Sequence, residues 1–159
     1  MLTEKEYLLL CELSSKGAVN LNIDTVDMMA SALIENEKPS EAGLLKEVAE
    51  NANFAGLKVK DSSLVDRVRI YVFEDSSGDT AAVFLAEGDN ESDVNKDCFD
   101  AIFEFLRKNT GTGKCVVSGQ KAGGIYAAYA AQSLELEGIL FGAPTTEELP
   151  GRVVNYVGE

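Results

Sequence analysis

The chain has no histidine among its 159 residues, and it is short of positive charge: 14 Lys and Arg stand against 27 Asp and Glu, a net of −13. Without histidine there is no Ser-His-Asp triad, no Cys-His dyad and no His-ligated zinc. The cation deficit argues against nucleic acid and anionic membrane surfaces, whose phosphates are bound by Lys and Arg that displace counterions. Proline is scarce, at three residues. Long apolar runs are missing too. Leu8, Leu9 and Leu10 stand among Glu4, Lys5, Glu6 and Glu12, too short a run for a signal peptide or a membrane span. Cys11, Cys98 and Cys115 are odd in number and widely separated. They read as buried thiols kept reduced in a cytoplasmic setting, not as a disulfide framework or a metal site. No metal and no cofactor are expected.

What remains is ordinary for a globular protein: 45% hydrophobic and 26% charged residues. The length suits one domain spanning 1–159, able to hide roughly two-thirds of its unfolded surface without disulfides or metals.

Two parts of different character follow one another. Residues 1–60 read as a helical segment. Leu9, Leu10 and Leu13 give one apolar side. Beyond Gly17, Asp24 caps a second helix carrying Val26, Met29, Ala30, Leu33 and Ile34, and Leu44, Leu45, Val48, Ala49 and Ala52 repeat the spacing after Pro39. From Val68 the pattern turns to β. The runs 68–73 and 81–86 flank Asp75-Ser76-Ser77-Gly78-Asp79 and predict a hairpin, the antiparallel edge of the sheet. Ser92 then caps a long helix with Val94, Cys98, Ile102, Phe105 and Leu106 on one face. Strand 115–118, an alanine-rich helix over 123–134, and strands at 139–141 and 153–157 complete a strand–helix alternation. That alternation predicts a three-layer α/β fold with a mainly parallel sheet over 68–157.

Three motifs compete for attention. Gly111-Thr112-Gly113-Lys114 resembles a phosphate loop but lacks its first glycine, has Cys115 in place of Ser or Thr, and opens a strand instead of a helix. Asp89, Glu91 and Asp93 match the first ligand spacings of a calcium loop, but Val94 replaces the sharp-turn glycine. The acidic stretch 74–104 carries ten carboxylates and one lysine. It reads as a solubilising face, with docking of a basic protein partner as the alternative. Oligomeric state is not legible.

The informative segment is 115–131. An apolar strand runs into Gly119-Gln120-Lys121-Ala122-Gly123-Gly124 and an alanine-rich helix. Strand, Gly-x-x-x-Gly turn and helix are the parts of a nucleophile elbow, where glycines let strand and helix approach around a strained central residue. This segment resembles the Thr-Gly-His-Ser-Leu-Gly-Gly elbow of the class 3 lipases in the α/β-hydrolase superfamily. Leu140-Phe141-Gly142-Ala143-Pro144 is similar to their Phe-Gly-Ala-Pro strand end, and 152–157 to the strand that leads to their aspartate. Residues 82–88 lie where the family carries its Val-Phe-Arg-Gly-Thr oxyanion segment. The resemblance covers roughly 68–157 and implies an α/β-hydrolase-like fold.

The departures bear on function. Lys121 occupies the nucleophile position. Leu85, Ala86 and Glu87 stand in place of the Arg-Gly-Thr segment, so its cation and close-approach glycine are gone. The sequence reaches Glu159 before the expected acid and histidine. Loss of a nucleophile or base costs a serine hydrolase several orders of magnitude. Ser118 and Cys115 lie in the strand, with no base in predictable reach. The expectation is a pseudoenzyme: a non-catalytic lipase-like domain with a binding, regulatory or structural role. The alternative is an atypical or incomplete esterase. At a helix N-terminus, Lys121 has three readings. Its stem packs while its head stays in water; it joins Gly119, Gln120, Ala122 and Gly123 in an anion or ligand site; or it acts as a nucleophile toward carbonyls.

Overall fold

The computed structural model describes residues 4–15, 57–86, 96–110, 113–143 and 151–156. These form helix α1 (Glu4–Ser15), strands β1 (Lys58–Val65), β2 (Val68–Glu74) and β3 (Thr80–Ala86), a 3-10 turn at Lys96–Cys98, helix α2 (Phe99–Asn109), strand β4 (Cys115–Gln120), helix α3 (Lys121–Leu134), and strands β5 (Glu137–Phe141) and β6 (Val153–Tyr156). The sheet order is β1-β2-β3-β4-β5-β6. The pairings β1–β2 and β2–β3 are antiparallel; β3–β4, β4–β5 and β5–β6 are parallel. The fold is thus α/β with a mixed six-stranded sheet.

Period-two alternation divides the sheet's two faces. Ala82 and Phe84 of β3, with Cys115 and Val117 of β4, join Ile102 and Leu106 of α2 and Ile125 and Ala127 of α3 in one apolar cluster. The intervening residues Ala81, Val83 and Val116 join Tyr7, Leu9, Leu10 and Cys11 of α1 in another. Among the described residues, one helix therefore covers one face, and two cover the other. Helix α3 is buried on almost every side from Ala122 to Ala128, which its small residues permit.

The hairpin expected at 68–86 is present as β2–β3. Its loop is tied by Asp75, whose Oδ1 accepts hydrogen bonds from the Ser77 and Asp79 amides and the Ser77 hydroxyl. Slight burial opposes ionisation of Asp75, but these hydrogen bonds outweigh it and hold the carboxyl below its usual range. The hairpin is not the sheet's edge, however. Strand β3 pairs with β4 in the interior of the sheet, and the outer strand is β1, which composition did not announce. Its lysines, aspartate and serines are poor strand formers. They suit an exposed edge, and the register shift between Val59 and Asp61 further blunts it. Because β1 starts at Lys58, the helical segment expected over 1–60 ends earlier than that; within the described residues it is α1 alone.

The helices expected over 24–34 and 44–52, the Ser92 cap and the calcium-like positions Asp89, Glu91 and Asp93 lie outside the described residues. Of the acidic stretch, Asp97, Asp100 and Glu104 are exposed, whereas Asp75 and Asp79 serve the hairpin and the Lys114 amide. Gly113 and Lys114 follow α2 and lead into β4, as a helix-ending turn requires.

Candidate functional site

The turn from β4 into α3 is built by close backbone approach. A methyl at Gly119 would lie 2.6 Å from the Gly123 carbonyl carbon, and one at Gly123 would overlap the Phe84 carbonyl oxygen of β3. Neither site has room for a side chain. At Gly124 a methyl would lie 2.8 Å from the Ala143 Cβ, so the start of α3 also rests on the segment after β5. Between these contacts, Gln120 is extended (φ −113°, ψ 143°) and Lys121 is left-handed at φ +50°. For a residue with a Cβ, that conformation costs about 1–2 kcal/mol. A strained residue at the strand-to-helix corner is the backbone signature of an elbow.

Lys121 opens onto a cavity of about 570 Å³, within the range of small-molecule sites. Arg67, Leu85, Ala86, Gln120, Lys121, Phe141 and Gly142 line it. Topology explains this gathering. The parallel strands β3, β4 and β5 all end here, and β2, running the opposite way, begins here: Val68 pairs with Ala86. The two-residue turn Asp66–Arg67, with Asp66 at φ +54°, therefore delivers Arg67 to the carboxyl ends of the parallel strands, where α/β sheets characteristically bind ligands.

Gly142 also takes positive φ (+62°) as the chain leaves β5, and its amide donates to the Tyr156 carbonyl at 2.8 Å. Asn155 of β6 fixes the next residue from both sides. Its Oδ1 accepts from the Ala143 amide at 3.1 Å, and its Nδ2 donates to the Ala143 carbonyl at 2.9 Å. Phe141 stacks on Tyr156 with centroids 5.8 Å apart and planes 20° from parallel.

The residues singled out from sequence divide by position. Gln120 and Lys121 line the cavity together with Leu85 and Ala86, so the glycine turn after β4 and the end of β3 share one site. Ala122 and Gly123 are buried behind them, Gly119 is buried at the end of β4, and Glu87 lies outside the described residues. Arg67 was missed, because a charged residue in a tight turn carries no sequence signal of its own. Among the described residues no group of His, Cys, Asp and Glu could hold a metal, and no helix is long and apolar enough to cross a membrane.

The other nucleophile candidates are occupied. The Ser118 hydroxyl is fully buried on the α1 side of the sheet and donates to the Ile139 carbonyl at 2.6 Å. The Cys11 thiol shares a hydrogen bond with Ser118 Oγ at 3.4 Å. Burial pushes the Cys11 thiol up to about 12, with the Ser118 hydrogen bond opposing this in part. Burial raises Cys115 and Cys98 as well. All three stand outside any disulfide and are held in the unreactive protonated form.

No protein-family model, curated protein or solved structure matches this chain.

Proposed function

We propose that this chain is a non-catalytic, hydrolase-like α/β domain, a pseudoenzyme that binds a small molecule in the cavity at Lys121. One observation carries the reading: the strained corner and its glycine contacts are intact and face a ligand-sized cavity, yet the residue at the corner is lysine in a chain without histidine. A lipase-like layering around that corner agrees with β3 and β4 ending side by side, which brings Leu85 and Ala86 to the elbow. The esterase alternative has no serine in the described cavity lining. Ser118 points to the opposite face, and the thiols are protonated. Those buried thiols also fit a reduced cytoplasmic setting. Asp97, Asp100 and Glu104 give the acidic stretch an exposed face for a basic protein partner.

The test is chemical. The protein is incubated at neutral pH with a fluorophosphonate probe and with p-nitrophenyl butyrate. Neither labelling nor turnover above buffer is expected. A labelled serine, or turnover abolished by one substitution, would overturn the reading.

A further inference from the structure

Resting on that binding reading, we propose that the cavity takes a planar heteroaromatic ring of the purine class, stacked on Phe141 and read along its edge by Gln120. The platform follows from strand register. Gln120, Phe141 and Tyr156 are direct partners on β4, β5 and β6, so the three side chains stand in one row across the sheet. Tyr156 stacks on one face of the Phe141 ring, with planes 20° from parallel. The other face is turned back along the row, towards Gln120 and the cavity that both residues line. A flat ring entering there continues the offset stack that Tyr156 begins, an arrangement that stabilises beyond the area it buries.

Strand spacing sets the width of the slot. Phe84 pairs with Gly119, so Leu85 follows beside Gln120 and stands two strands from Phe141. Two inter-strand spacings are about 9.5 Å, room for one ring at about 3.5–4 Å from each wall. Leu85 and Phe141 are half-buried walls, and Gln120 is the floor between them. Its amide carries donors and an acceptor at one end, and adenine offers an acceptor and a donor side by side, a pair that glutamine can bond at both points. An alkyl chain would cover the walls but give that amide nothing to bond, and a sugar would set hydroxyls against apolar walls. A planar ring with a polar edge answers walls and floor together.

Calorimetry on the whole chain with uncharged probes tests this. Adenosine and guanosine carry the flat ring, ribose keeps the sugar without it, and cyclohexanol fills apolar space without a flat face. Saturable binding of at least one nucleoside is expected, at least tenfold tighter than ribose or cyclohexanol. F141L keeps an apolar side chain of similar volume and loses the platform; it should weaken binding about tenfold. Q120M keeps the length of the side chain and loses the amide; it should weaken binding about fivefold. Circular dichroism checks that both variants fold, and the comparison of probes on the parent needs neither of them. Cyclohexanol binding as tightly as the nucleosides would overturn the planar assignment and leave a small-molecule cavity standing. Folded F141L or Q120M binding like the parent, or no saturable binding of either nucleoside, would overturn it as well. Serine labelling by the fluorophosphonate would instead overturn the non-catalytic reading, and it is read independently of the affinity pattern.

Discussion

The strain at Lys121 can be measured by comparing two substitutions at the same position. K121A keeps a Cβ and therefore keeps the cost of the left-handed backbone at φ +50°, about 1–2 kcal/mol. K121G removes that cost but frees the unfolded chain, a loss of about 0.5–1 kcal/mol relative to alanine. Both variants delete the same charge from the α3 N-terminus, so electrostatics cancels between them. The difference should leave K121G more stable than K121A by about 0.5–1 kcal/mol. For a chain of this size, 1 kcal/mol corresponds to about 2–4 °C in Tm. Urea unfolding followed by circular dichroism, with equal m values for the two proteins, provides the comparison. If K121G proved no more stable than K121A, position 121 would not be left-handed in solution, and the elbow would fall with it.

Three other outcomes follow from the packing. G123A forces a methyl into the Phe84 carbonyl, so α3 must move off β3; a loss of about 1–3 kcal/mol by urea unfolding is expected, and a neutral result would contradict the close approach. N155A leaves the Ala143 amide and carbonyl without their partner, costing about 1–3 kcal/mol in the same assay. The Cys11 thiol, raised from 9.0 to about 12, is protonated in the folded state while the unfolded chain ionises above pH 9. Its contribution is therefore intact below pH 9 and lost as pH rises from 9 towards 12, by about 1.4 kcal/mol per unit at most; melting curves across that window should be flatter for C11A than for the parent.

How far the sequence can be read depends on which physical signal each element carries. Strands β2, β3, β4 and β5 are apolar runs buried by helices, and the turn at Gly119 and Gly123 shows itself because only glycine fits where backbones touch. Both features are local and composition reports them. Strand β1 is legible only through its partner: Lys58, Lys60, Asp61, Ser62 and Ser63 have no strand preference, and pairing with β2 imposes it. The place of β3 inside the sheet is likewise set by the crossover through α2, which hairpin patterning cannot reveal. The same division holds at the site. Gln120 and Lys121 follow from the elbow, and Leu85 and Ala86 from a resemblance to another segment, but Arg67 reaches the cavity solely because β2 is antiparallel to its neighbour. A residue placed by topology leaves no motif.

The elbow's geometry and the chemistry it carries are separable. The contacts that enforce the corner run among Gly119, Gly123, Gly124, Phe84 and Ala143, and none involves the exposed side chain at position 121. Burial of Ile125 alone, at about 1.5–3 kcal/mol, matches the left-handed cost of the corner. These contacts therefore enforce the corner without selecting serine at it. A net charge of −13 would repel an anion at long range, but at physiological salt that field is screened beyond about 8 Å. Arg67 and Lys121 lie in the cavity wall itself. Under the proposed reading, recognition here depends on the groups of the cavity wall more than on the net charge of the chain.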